Sequence, residues 1–286
     1  MTSRHLLAAL AFVLAPALAL AQPLDGRLKK IKDSKTIAVA HRTDAAPFSF
    51  VNDKKEPVGY SVDLCKRVVN AIGEQIGVPD LKIKWVAVTT QNRFDAVAKG
   101  DADMECGASS VTLGRMKQVD FSSFIFVDST ALLVHKDVPG KSLGELSGKK
   151  IGVVTGTTNE RALATAMKDR MVSATVVPLK TREEGLAKLE AKEIDAFAAD
   201  RILLLGMAGK AKDAKSLAML DDDLSIEGYA IALPRGDAGL RLAVNTGLSR
   251  IYRGSAIGEI YGAWFGSLGK PSKILLVTYL FGALPE

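Results

Sequence analysis

Three arginines follow short apolar runs in the first half of the chain: Arg42 after "TIAVAH", Arg93 in "TTQNR" and Arg115 in "ECGASSVTLGR". Each run reads as a strand, so each guanidinium sits at or just past a strand end, beside hydroxyls or a glycine turn. A guanidinium grips a carboxylate through a planar, bidentate face, whereas a lysine ammonium acts as a point charge. A lone arginine is ordinarily a solvated surface charge; three at strand ends in one unit point to anion binding. The matching acid is Asp200, which ends "IDAFAAD" and suits either a bound ammonium or the N-cap of the following helix.

"TGTTNE" (155–160) is a fourth candidate. Gly156 lets the backbone turn, Thr157 or Thr158 can cap a helix, and Glu160 completes a capping box with Thr157. The free N–H groups and positive end of that helix suit an anion. The stretch lacks the pattern of a nucleotide-binding P-loop. Catalytic alternatives find little support: there is no G-x-S-x-G elbow and no H-E-x-x-H. The histidines His5, His41 and His135 are dispersed, so no metal and no cofactor is expected. Asp103 and Glu105 share a strand face and read as a salt-bridged pair, and "DDD" (221–223) reads as a solvated loop.

The elements that must hold these groups alternate. Strands are expected at 36–42, 81–89 and 102–107, with amphipathic helices at 60–77 and 91–100 between them. A second cycle has strands at 130–136, 150–156, 174–180 and 194–200, with helices at 157–169, 182–193 and 201–211. A strand at 228–236 and helices at 239–254 and 256–266 follow. This order predicts two α/β units with mostly parallel sheets, joined by strand-like crossings near 128–131 and 228–231. In such sheets ligands collect beyond the carboxyl ends of the strands, where the four candidate stretches lie.

"MTSRHLLAALAFVLAPALALAQ" has the basic start, apolar run and A-x-A site of an export signal, with cleavage expected after Ala21 and delivery to the periplasm. The apolar "ILLVTYLFGAL" near the end is too short to span a membrane and is expected in the core, so no membrane insertion is expected. The net charge of +6 is spread without a basic block, which argues against a nucleic-acid partner. The two cysteines, Cys65 and Cys106, fit one disulfide in an oxidising compartment or two separate buried thiols.

The motifs "AHRTDAAPFSF", "VGYSVDLCKRVVNAI", "TTQNRFDAVAKGDADMECGASSVTLGRMKQVDFSSFIFV", "GKKIGVVTGTTNE", "IDAFAADRILL" and "EGYAIAL" cover nearly the whole mature chain. It resembles the extracytoplasmic solute-binding proteins of ABC amino-acid importers, most of all their glutamate/aspartate-binding group. The resemblance implies a two-lobed α/β periplasmic-binding-protein fold of type II with two strand-like hinge crossovers. Residues 22–128 would form lobe one and 129–230 lobe two, with 231–286 returning to lobe one. It implies a monomer that hands its amino acid to a membrane permease. By motif position, Arg115, Ser110 and Thr157 would hold the α-carboxylate, and Asp200 with the Ala108 carbonyl the α-ammonium. Arg42, Thr90 and Arg93 would surround the side-chain carboxylate, with Arg182 standing near the family's side-chain-sensing histidine. Ser109, Ser110, Ala108 and Val154 depart from the residues usual in the acidic-ligand group, which leaves glutamate, aspartate and their amides open. The alternative reading is an exported dehydratase of prephenate-like acids on the same scaffold, for which only Asp200 offers itself as an acid or base.

Overall fold

Periodic apolar residues dictate the element order, which the computed structural model describes over residues 24–138 and 141–285. Helix α1 (Gly26–Ser34) leads into β1 (Thr36–Arg42), then β2 (Asp44–Ala45), β3 (Ser49–Val51), β4 (Pro57–Val58) and α2 (Tyr60–Ile76). Next come β5 (Lys82–Val88), α3 (Arg93–Lys99), β6 (Met104–Glu105) and the long β7 (Val119–Asp128). The second unit holds β8 (Thr130–His135), β9 (Lys150–Val154), α4 (Thr158–Asp169), β10 (Thr175–Leu179), α5 (Arg182–Glu190), β11 (Ala196–Asp200), α6 (Arg201–Ala208) and β12 (Leu217–Met219). The chain closes with β13 (Glu227–Pro234), α7 (Ala238–Arg253), α8 (Ala256–Phe265) and α9 (Lys273–Gly282). The leader read from the sequence lies outside the described residues.

Two five-stranded sheets carry the fold, in the orders β5-β1-β6-β13-β7 and β10-β9-β11-β8-β12. In the first, β1 runs parallel to β5 and β6, and β13 pairs antiparallel with β6 and β7. In the second, β9 lies parallel to β10 and β11, and β8 antiparallel to β11 and β12. Apolar side chains cover both faces of each sheet. The largest cluster packs α2, α7 and α8 on sheet one, with Tyr60, Val68, Ile72, Tyr229 and Leu248 at its centre. Helix α2 starts at Gly59, whose φ of 131° and closeness to the Phe48 carbonyl leave no room for a side chain.

The units are joined twice, side by side. Strand β7 passes into β8 through Ser129 alone, and the chain returns after Leu220. Glu227 is already paired with Asp128, so the return is complete before the 228–231 read from the sequence. Polar "EG" reads as loop, but cross-strand pairing with β7 overrides that local signal. The apolar tail also differs from expectation. Leu275, Tyr279 and Gly282 are buried, while Ile274, Leu276, Val277, Leu280 and Phe281 are exposed, because α9 lays only one face on the core. None of the described helices is long and apolar enough to cross a membrane.

Candidate functional site

The parallel strands of both sheets point their carboxyl ends at the seam between the lobes, and the site is built there. Arg42 ends β1, Arg93 opens α3 after β5, and Ala108 to Ser110 follow β6. From the other lobe, Thr157 and Thr158 follow β9, Arg182 opens α5 after β10, and Asp200 ends β11. Gly107 is required where the loop turns, since a Cβ there would overlap the Glu105 carboxylate and crowd the Arg42 stem.

At one end of the seam lie the guanidiniums. Arg42 is only 1% exposed, and its Nη2 donates to Thr90 Oγ1 at 2.6 Å and to both carboxylate oxygens of Asp44 at 2.5 and 2.7 Å. Arg93 Nε donates to Ser109 Oγ at 2.9 Å, and its Nη1 donates to the Thr90 carbonyl. Arg182 stands between two acids, with Nη1 3.6 Å from Asp44 and Nη2 3.6 Å from Asp200. Arg42 Nε, Arg42 Nη1 and Arg182 Nη1 are buried with no acceptor among the described residues. Burial, then the neighbouring Arg182, pushes the Arg42 pKa down, while Asp44 opposes the shift. Burial, then Arg115, does the same to Arg93.

At the other end hydroxyls converge on one acid. Glu227 accepts from Ser110 Oγ at 2.5 Å, Thr158 Oγ1 at 2.6 Å, Ser225 Oγ at 2.9 Å and Thr130 Oγ1 at 3.1 Å. Ser110 and Thr158 face one another across the seam at 3.3 Å. Asn159 Nδ2 donates to Thr130 Oγ1 at 2.9 Å and to Asp200 at 3.3 Å. Between the two ends, Arg115 Nη1 donates to the Ser110 carbonyl at 2.7 Å, and Arg93 and Arg115 both stack on the Phe94 ring.

The match that decides the family spans residues 37–267, which fit the model of bacterial extracellular solute-binding proteins, family 3. The chain belongs to that family. It is 34% identical to the L-glutamate/L-aspartate-binding protein of Pseudomonas aeruginosa, over 90% of this chain and 85% of the relative. It is 30% identical to the glutamate/aspartate import solute-binding protein of Salmonella typhimurium, over 86% of this chain and 82% of the relative. Among solved structures, an ancestral arginine-binding protein bound to glutamine superposes with a TM-score of 0.72 at 26% identity, covering 81% of this chain and 98% of that one. The solute receptor for L-cysteine of Neisseria gonorrhoeae, at 22% identity, shares the fold with a TM-score of 0.74, covering 85% of this chain and 97% of that one. The fold is thus the two-lobed α/β architecture of amino-acid-binding proteins.

Within this family member, the residues singled out from sequence divide in two. Arg42, Thr90, Arg93, Ala108, Ser110, Arg115, Arg182 and Asp200 gather along the seam, and all but Arg115 are buried. Thr157 is spent on its own helix: its hydroxyl donates to the Val154 carbonyl at 2.7 Å and accepts from Glu160 N at 3.2 Å. The hydroxyl that crosses the seam is that of Thr158, one residue on. Asp200 makes no cap for α6; Asp128, on the neighbouring β7, takes that place by accepting from Ile202 N at 3.3 Å.

Two acids depart from their expected roles. Asp103 pairs with Arg27 at 3.0 Å, but Glu105, fully buried, has no hydrogen-bond partner for either oxygen among the described residues. Burial raises its pKa against the pull of Arg93. The run "DDD" is the largely exposed loop read from the sequence, and within it Asp222 pairs with Arg170 and Asp223 with Arg201. No group of metal-ligating side chains occurs among the described residues. Cys65 of α2 and Cys106, just after β6, are bonded to each other. Asp44, Asn159 and Glu227 receive no role in the reading of the sequence, and Thr158 only that of an alternative cap; Asp44, two residues after Arg42, carried the one local signal that could have found it.

Proposed function

We propose that this protein is an exported receptor that binds an acidic L-amino acid, glutamate or aspartate, in the seam and delivers it to the permease of an ABC importer. The buried guanidinium donors of Arg42 and Arg182 that lack acceptors carry this reading. A buried polar group without a partner costs about 1–3 kcal/mol, and an arriving carboxylate relieves that cost. The glutamate/aspartate-binding relatives support the same ligand class, and binding proteins as relatives favour a receptor over the dehydratase alternative.

In this reading Arg115 and the hydroxyl pair Ser110 and Thr158 receive the α-carboxylate, with Thr157 holding the first turn of α4 in place. Asp200 and the Ala108 carbonyl take the ammonium. Arg42, Thr90, Arg93 and Arg182 take the side chain. Closure is rotation of the lobes about the paired crossings at Ser129 and Leu220–Glu227, stabilised by the ligand's greater affinity for the closed form. The leader is removed after Ala21, and the mature chain works as a monomer in the periplasm. Titration calorimetry over the acidic amino acids and their amides tests the receptor directly. Arg115→Ala is expected to weaken glutamate binding by about 2–5 kcal/mol, since it leaves a buried carboxylate unpaired. Near-normal affinity in that variant removes Arg115 from the site.

A further inference from the structure

One feature of the guanidinium end does not follow from a site built only to receive an acid. Arg42, Arg93, Arg115 and Arg182 are matched in number by Asp44, Glu105, Asp200 and Glu227 along the seam. Four guanidiniums thus stand against four acids, with Arg161 and Asp128 acting on Arg115 and Asp200 from beside them, and an acidic amino acid brings one further net negative charge. Glu105 and Asp200 are buried at 0% and 3% exposure, and Glu227 is fastened by four hydroxyls. Asp44 is different. Its side chain is 20% exposed, and among the described residues its carboxylate is held only by the two guanidiniums that the side-chain subsite would use. Both its oxygens crowd Arg42 Nη2, which already serves Thr90, while Arg42 Nε and Nη1 and Arg182 Nη1 go without acceptors.

Asp44 also has somewhere to go. It lines a cavity of about 280 Å³ between β3 of one lobe and α5 and α6 of the other, which Lys210, Glu183 and Glu190 line as well. The Lys210 ammonium lies 5.1 Å from the centre of the Phe50 ring. A carboxylate turned out of the seam would meet that cation beside two other acids.

We propose that Asp44 is a displaceable internal carboxylate that sets side-chain selectivity: it occupies Arg42 and Arg182 until the side-chain carboxylate of a ligand replaces it, and it then swings into the cavity toward Lys210. This rests on the acidic-amino-acid reading and deepens it. The displaced acid takes one negative charge out of the seam, equal to the net charge that glutamate brings. A ligand that ends in an amide repels Asp44 less and need not expel it, so Asp44 penalises glutamate relative to glutamine. It also bridges the lobes through Arg182, so it favours closure without ligand.

The test is calorimetric titration of L-glutamate and L-glutamine into the wild-type protein, Asp44→Asn and Asp44→Ser, with a melting curve for each. The expected result is about tenfold tighter glutamate binding in both variants with glutamine changed less than about threefold, because like-charge juxtaposition is removed for one ligand only. Glutamate affinity that is unchanged or weaker in cooperatively melting variants overturns the proposal and leaves the receptor reading intact. A wild-type protein that binds no dicarboxylic amino acid removes the receptor reading and this proposal together. A crystal structure of the wild-type complex with glutamate needs no variant: Asp44 turned away from Arg42 supports displacement, and Asp44 still bonded to Arg42 refutes it.

Discussion

The two ends of the seam handle buried charge in opposite ways. At the Glu227 end, one carboxylate collects four hydroxyls and every partner named is satisfied from within the chain. At the Arg42 end, guanidinium nitrogens are buried without hydrogen-bond acceptors, and Glu105 without donors, among the described residues. A ligand at the first end must exchange existing bonds, which yields little net energy. In the proposed reading a ligand at the second end displaces Asp44 and also reaches guanidinium donors that had no acceptor, so most of the discrimination between ligands belongs there.

The sharpest way to break that contrast is Arg42→Ala. Glutamate binding is expected to weaken by roughly 2–5 kcal/mol, and glutamine binding by clearly less, because glutamate loses an ion pair whereas glutamine loses a hydrogen bond to a neutral amide. Equal losses for both ligands in parallel titrations remove Arg42 from side-chain recognition. Glu227→Gln should act in the other direction. It replaces charge-assisted bonds with weaker ones and puts donors against donors, so urea unfolding is expected to show a loss of about 1–3 kcal/mol. Glutamate affinity should change less than stability does; a larger change in binding reverses the assignment of the two ends.

A separate test concerns stability and pH. Burial, and then the neighbouring Asp200, pushes the Asp128 carboxyl up to about 8. Its folded pKa therefore lies above the unfolded value of about 3.9, so the folded chain holds a proton that the unfolded chain has released. The sign follows: stability falls as pH rises between about 4 and 8. Asp128→Asn is expected to flatten the decline of the melting temperature over that window. An unchanged slope assigns the pH dependence to other groups.

Much of this architecture was legible before the structure. Where the apolar periodicities marked a helix or strand, its ends fell within about three residues, because each buries a continuous face against its own sheet; α1, β7 and β12 were not read, and α9 only as apolar core. Strand ends and hydroxyl-rich turns located Arg42, Arg93 and Asp200, since sheet topology sends such ends to one seam. What stayed hidden depends on partners far away in sequence. Thr157 and Thr158 are equivalent on a helix-start pattern, and only the position of Ser110 across the seam tells which hydroxyl faces it. Glu227 reads as a loop acid until β13 is seen to pair with β7. The α9 segment looks like core from its composition, but nothing in that composition says which residues meet Tyr252 and which meet water.

The bond between Cys65 and Cys106, 41 residues apart, closes a ring in the chain. Thr90, Arg93 and Glu105 lie inside that ring, whereas Arg42, Ser110 and Arg115 lie outside it. Oxidation after export therefore clasps one part of the recognition wall to the back of helix α2, and it shortens the search by which the two parts find each other during folding. A chain whose two thiols stay reduced lacks that clasp, so the juncture of the two parts then rests on non-covalent packing alone.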